Sequence, residues 1–190
     1  PDALVEPEEV AEAFDELHFS GKVRNFGVSN QKPMQIELLK KYVHQPLLIN
    51  QLQLSITNAN MITNGLEVNM NTQGALDRDG SALDYCRLND ITIQAWSPFQ
   101  YGFFEGIYLN NDKFSKLNSK IDEIADKYGV SNTAIVSSWI ISHPANMQII
   151  SGTMNEERLR EIAKGADIKL TKKEWYEIYI SYHSFLVSFI

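Results

Sequence analysis

Four places in the sequence end an apolar run on neutral hydrogen-bonding side chains. "GKVRNFGVSN", residues 21–30, closes on Ser29 and Asn30. "LLINQLQL", 47–54, carries Asn50, Gln51 and Gln53. "AWSPF", 95–99, sets Trp96 ahead of Ser97, Pro98 and Phe99. "SGTMNEER", 151–158, places Ser151, Gly152 and Thr153 ahead of a helix start, with Arg158 one turn in. Asn, Gln and Ser supply donors and acceptors without charge, a set that can grip an amide such as the carboxamide of a nicotinamide ring. The indole of Trp96 can stack on such a ring. Small residues before a helix N-terminus, with a guanidinium in the first turn, suit a phosphate through free N–H groups, the helix dipole and a planar fork. Taken singly, each place also has a plainer reading. Ser29-Asn30 could be a loop and cap pair, Gln51 a satisfied core amide, Trp96 a core residue, Thr153 and Asn155 helix caps. All four ends being polar in the same way favours a ligand.

These residues need elements to hold them. Glu8 to Phe19 reads as a helix, with Pro7 at its first position, acids in its first turn and Val10, Phe14 and Leu17 on one stripe. Val23–Val28 reads as a strand, and Pro33 opens a helix with Ile36, Leu39 and Val43 on one side. Residues 47–54 are strand-like, 81–89 helical with Leu83 and Leu88 inward, and 91–96 a strand. Helices follow at 115–128 and about 132–142, a short strand at 147–150 and a helix at 155–164. Thr171 with Glu174 three residues later is a capping box that opens a last helix. Strands alternating with helices imply parallel strands and right-handed crossovers. Four such strands fit half of a (β/α)8 barrel or a small doubly wound sheet, and in both the ligand sits at the carboxyl ends of the strands. No Gly-x-Gly-x-x-Gly turn follows any strand, which counts against the doubly wound alternative.

Composition narrows the function classes. The chain has 190 residues, 44% hydrophobic and 22% charged, ordinary for a globular protein. A formal charge of −7 and a pI near 5.1 argue against nucleic acid or an anionic membrane as the main partner. The single cysteine, Cys86, excludes a disulfide framework, favours a reducing, cytoplasmic setting and reads as a buried small apolar residue. No apolar run approaches the roughly 20 residues of a membrane helix. Asp77-Arg78-Asp79-Gly80 reads as a turn, because the other ligands of a calcium loop are not at the required spacing. His18, His44, His143 and His183 show no paired metal spacing, so no metal site is expected. The loop "YGFFEGIYL", 101–109, is either a substrate wall or a cover for the core.

"GKVRNFGVSN", followed in order by "INQLQLS", "IQAWSPFQYG" and "GTMNEERLREI", resembles the aldo-keto reductases, in particular their bacterial oxidoreductase branch. The resemblance runs from Pro1 to about Tyr179. It implies that Ser29 and Asn30 bind the nicotinamide carboxamide with Gln51 beside them, and that Trp96 stacks on the ring. Ser97, Pro98 and Phe99 would line the pyrophosphate. Ser151, Gly152, Thr153 and Arg158 would hold the adenosine ribose and its 2′-phosphate. Where many members carry Pro-Lys-Ser, this chain has Ser151-Gly152-Thr153, so Arg158 is left as the cation; NADP is expected over NAD.

The resemblance also places this sequence as the C-terminal part of a TIM barrel, strands five to eight with their helices and the N-terminal half missing. On that reading, residues 1–190 are one domain truncated at its start. The family's Asp, Tyr, Lys and His would all lie upstream, the His two residues before Pro1. No catalytic residue is therefore expected in the chain, and by itself it is expected to reduce no carbonyl. The parent would be an NADPH-dependent reductase of small aldehydes or ketones; the alternative is a catalytically silent NADP-binding module. A partner is expected too, either the missing half or a second copy, because a half barrel leaves strand edges bare. The last stretch, "FLVSFI", leaves the family pattern and would be an aggregation hazard if exposed.

Overall fold

The computed structural model describes residues 1–103 and 105–183, so "FLVSFI" lies outside the described residues. The elements run α1 (Pro7–Phe19), β1 (Phe26–Ser29), α2 (Pro33–Lys40), β2 (Leu47–Gln53), α3 (Asn60–Leu66), α4 (Ala82–Leu88) and β3 (Thr92–Trp96). Then come β4 (Gln100–Tyr101), β5 (Gly106–Ile107), α5 (Ser115–Tyr128), α6 (Asn132–Ile141), β6 (Met147–Ile149), α7 (Glu156–Lys164) and α8 (Lys172–Tyr182). They form two compact units, residues 1–52 with 60–94, and residues 53–59 with 95–190.

In the first unit the strands are ordered β1, β2, then the start of β3. β1 and β2 are parallel, with Ser29 opposite Gln51. Ile36, Cys86 and Ile93 are fully buried in this unit. Gly27 lets β1 lie close against β2, since a Cβ there would sit 2.7 Å from the Ile49 Cβ and 2.8 Å from its carbonyl oxygen. The segment before α4 is tied by its own polar groups. One Asp77 oxygen accepts from the N–H groups of Asp79, Gly80 and Ser81, and Arg78 donates to Asn60, Gln73 and Leu76.

In the second unit the end of β3 neighbours β6, and β4 pairs antiparallel with β5. Helix α6 is buried from Ala134 through Ile140, as expected of a helix that is apolar nearly all round. Its Ser138 Oγ donates to the Ile168 carbonyl at 2.9 Å. Trp139 and Trp175 stack 4.7 Å apart and donate each indole N–H to the other's carbonyl, at 3.1 and 2.8 Å. Helix α5 ends on Gly129, whose φ of +64° is the left-handed conformation glycine takes without cost. The capping box at α8 is present. Thr171 Oγ1 accepts from Glu174 N–H, and the Glu174 carboxylate accepts from Thr171 N–H at 2.8 Å.

Several sequence expectations are corrected. The expected half cylinder, strands five to eight of a TIM barrel without the first half, is not what the chain forms: α/β elements run through both units, with the parallel β1–β2 pair in the first and the antiparallel β4–β5 pair in the second. Alternation of strands and helices specifies parallel neighbours, but it carries no information on how much of a fold a chain represents. Within the loop 101–109, Gly102 and Gly106 take φ of +60° and +146°, which lets it fold back as a hairpin. The first strand begins at Phe26 rather than Val23, and α3 was not expected. Leu88, expected inward, is 83% exposed.

Candidate functional site

The end of β1 meets β2 in the first unit. Ser29 Oγ donates to the Gln51 carbonyl at 3.1 Å, and the Asn30 N–H donates to the same oxygen at 2.9 Å. Asn30 Nδ2 donates to Ser29 Oγ at 3.2 Å. Asn30 sits at φ +54°, a left-handed conformation that asparagine tolerates better than most residues. Next along the sheet, Gln51 Nε2 donates to Gln94 Oε1 at 3.2 Å. Hydroxyl and amide groups from three strands thus gather at the carboxyl end of the parallel β1–β2 pair. None of these side chains carries charge, and together they offer both donors and acceptors.

The second unit holds the other predicted residues. Ile150, just past β6, donates to the Ala95 carbonyl at 2.9 Å, so Trp96 and Ser151 leave from adjoining strand ends. Trp96 is half-buried. Ser97 lies at φ +53° and donates its Oγ to Gln100 Oε1 at 2.8 Å. Pro98 is buried, and its carbonyl accepts the Tyr108 hydroxyl at 2.9 Å; Ser97 and Phe99 on either side are half-buried. Burial pushes the Tyr108 hydroxyl far up from its ordinary pKa. Beyond β6 a ladder of short polar contacts leads into α7. Ser151 Oγ accepts from Thr153 N–H, Thr153 Oγ1 from Asn155 N–H, and Asn155 Oδ1 from Arg158 N–H at 2.9 Å. Asn155 is therefore the cap of α7, as its plainer reading had it. Gly152 is exposed, and the Arg158 side chain makes no ion pair among the described residues.

An open cavity of about 480 Å³ lies in the second unit, bounded by Gln53, Thr57, Tyr101, Phe103, Lys113 and Phe114 among others. The Lys113 ammonium stands 4.6 Å from the Tyr101 ring centre. In the loop 101–109, Tyr101 and Phe103 line this cavity and Tyr108 is fully buried. Cys86 is buried, and burial pushes its thiol up to about 11. His44 pairs with Asp15 at 3.0 Å. His183 stacks on Tyr179, and its Nε2 lies 2.7 Å from the Ile56 carbonyl.

Sequence reasoning singled out Ser29, Asn30 and Gln51, and the structure brings them together. It gave no role to Gln94. The available signal was an amide two residues before Trp96 in an apolar strand, hence on the same face. Asn50, counted with Gln51 and Gln53 among the polar strand-end groups, instead donates its Nδ2 to the Gln31 carbonyl.

An α/β chain with neutral polar groups converging at the carboxyl end of parallel strands is of the ligand-binding class those folds define. The chain belongs to the aldo/keto reductase family, whose model matches residues 1–182. It is 31% identical over 180 residues to a 6-dehydroglucose reductase of Agrobacterium fabrum, a match covering 94% of this chain and 53% of that protein. It is also 31% identical over 182 residues to the uncharacterized oxidoreductase YcsN of Bacillus subtilis, covering 94% and 54%. Among solved structures, the thermostable aldo-keto reductase Tm1743, in complex with the inhibitor epalrestat, superposes with a TM-score of 0.71 at 25% identity. That superposition covers 95% of this chain and 57% of the other. The chain spans about half the length of the relatives it matches. The likeness extends over essentially the whole chain, which overturns the C-terminal half-barrel assignment. The matched relatives named by activity are reductases, and nothing in these matches supports the expected inactivity. No helix among the described residues is long and apolar enough to cross a membrane.

Proposed function

We propose that this chain binds a nicotinamide dinucleotide, NADP in preference to NAD, and serves the reduction of aldehyde or ketone carbonyls. One observation carries the reading. Ser29 Oγ and the Asn30 N–H both lock onto the Gln51 carbonyl, which fixes the Ser29, Asn30 and Gln51 side chains around one strand end. Ser29, Asn30 and Gln51 would orient the carboxamide, and Trp96 would cover one ring face. Ser97, Pro98 and Phe99 would line the pyrophosphate. Ser151, Gly152 and Thr153 would receive the adenosine ribose, with Arg158 as the cation for its 2′-phosphate. Glu156 and Glu157 in the same first turn oppose that phosphate, and the Arg160–Glu156 pair offsets one of them. When bound, the nicotinamide supplies the hydride for the carbonyl carbon. The relative named 6-dehydroglucose reductase points to a hydroxylated carbonyl substrate. The cavity beside Tyr101, with aromatic faces next to Gln53 and Thr57, suits such a molecule.

NADPH titration followed by tryptophan fluorescence tests the binding, and NADPH consumption over a panel of sugar and simple aldehydes tests the reaction. Each neutral hydrogen bond contributes about 0.5–1.5 kcal/mol, so S29A and Q51A are expected to weaken NADPH by roughly two- to tenfold each. A folded protein that takes up no NADPH refutes the reading.

A further inference from the structure

Asn50 is 0% exposed. It neighbours Gln51 on β2 and, by the alternation of a strand, points to the opposite face. Its Nδ2 donates to the Gln31 carbonyl at 2.9 Å, and its Oδ1 is buried without a hydrogen-bond partner among the described residues. The same amide also hydrogen-bonds the buried Cys86 sulfur. A buried amide with an orphaned oxygen is costly, and that cost is set against the bond Asn50 makes to Gln31. The hold on Gln31 bears on the site, because Gln31 directly follows Ser29 and Asn30.

The turn at Asn30 is left-handed and needs outside support to persist. That support comes from successive attachments. Ser29 Oγ and Asn30 N–H attach to the Gln51 carbonyl. The Gln31 carbonyl attaches to Asn50 Nδ2, and Lys32 N–H attaches to Gln35 Oε1 at 2.8 Å. Two consecutive residues of one strand, Asn50 and Gln51, thus clamp three consecutive residues leaving the next strand. We infer that Asn50 is a positioning residue which, from inside the core and without touching ligand, sets the geometry with which Ser29 and Asn30 meet a nicotinamide carboxamide. The inference rests on the functional reading above.

The test compares wild type with N50L, which removes the clamp and the orphaned oxygen together. Three quantities are read: urea stability, amide exchange at Asn30 and Lys32, and affinity for two probes. The probes are NADPH and adenosine 2′,5′-bisphosphate, which lacks the nicotinamide. N50L removes the orphaned oxygen but leaves the Gln31 carbonyl without its donor, so its urea stability is expected to stay close to that of wild type. Asn30 and Lys32 should exchange about tenfold faster, and NADPH should bind about tenfold more weakly, as the loss of one buried clamp allows. Affinity for the bisphosphate should stay within about twofold, since its groups meet other residues. A purely structural role would move both affinities together. If N50L does not fold, N50A removes the same donor with no added bulk and is read the same way. Wild type that binds NADPH, with N50L unchanged in exchange and in NADPH affinity, overturns the inference alone. Wild type that binds neither probe overturns the functional reading and the inference with it.

Discussion

Glu174 offers the sharpest energetic prediction. It is only 5% exposed, at the third position of α8. Burial pushes its carboxyl up, but hydrogen bonds from Lys127, Thr171 and Tyr128 outweigh that and hold it down at about 2, against an ordinary 4.5. One oxygen accepts Lys127 Nζ at 2.5 Å; the other accepts Thr171 N–H, Thr171 Oγ1 and the Tyr128 hydroxyl at 2.8, 2.7 and 2.9 Å. A gap of that size between folded and unfolded states is worth about 3 kcal/mol, and solvent screening at the exposed Lys127 reduces it to roughly 2 kcal/mol. Because the folded pKa is depressed, this stabilisation is complete above about pH 4.5 and is lost as pH falls toward 2. E174Q keeps the shape but loses the charge, and it turns an N–H group toward Lys127. Urea unfolding followed by the Trp139–Trp175 pair should show E174Q about 2 kcal/mol less stable at pH 7, with the gap narrowing between pH 4.5 and 2.5. Equal stability at pH 7, or a gap that does not change over the acid range, refutes the reasoning.

Gly27→Ala forces a Cβ to within 2.7 Å of the Ile49 Cβ. It should cost about 1–3 kcal/mol in urea and weaken NADPH further by moving Ser29 off Gln51; unchanged NADPH affinity would show that the β1–β2 spacing does not matter to the site. Arg158→Ala should lower NADPH affinity about 10- to 100-fold by loss of a charge-assisted hydrogen bond while leaving NADH nearly unchanged. Equal losses for both nucleotides would remove Arg158 from the 2′-phosphate. The Cys86 thiol, raised to about 11 by burial, should resist an aromatic disulfide reagent at pH 8 in the folded chain and react at once in urea. Fast reaction in the native state would mean that the first unit opens around Cys86.

Local features were legible in the sequence because their physics is local. The Thr171–Glu174 capping box joins residues three apart, and Asn155 capping Arg158 spans the same interval. The strand ends at Ser29-Asn30 and Gln51 could be named because apolar runs mark strands, and in parallel α/β folds the ligand sits where the strands end. The family, too, is carried by short ordered motifs. What the sequence left open depends on pairs far apart along the chain. Only tertiary structure decided that Gly27 is required by Ile49, that Gln94 joins Gln51, and that Asn50 reaches back to Gln31. Leu88 reads as one more apolar helix residue until its surroundings are known. How much of a fold the chain represents is not legible in the sequence for the same reason. Periodicity reports which side of an element is apolar, whereas the extent and register of a sheet are settled by contacts between elements that no local pattern records.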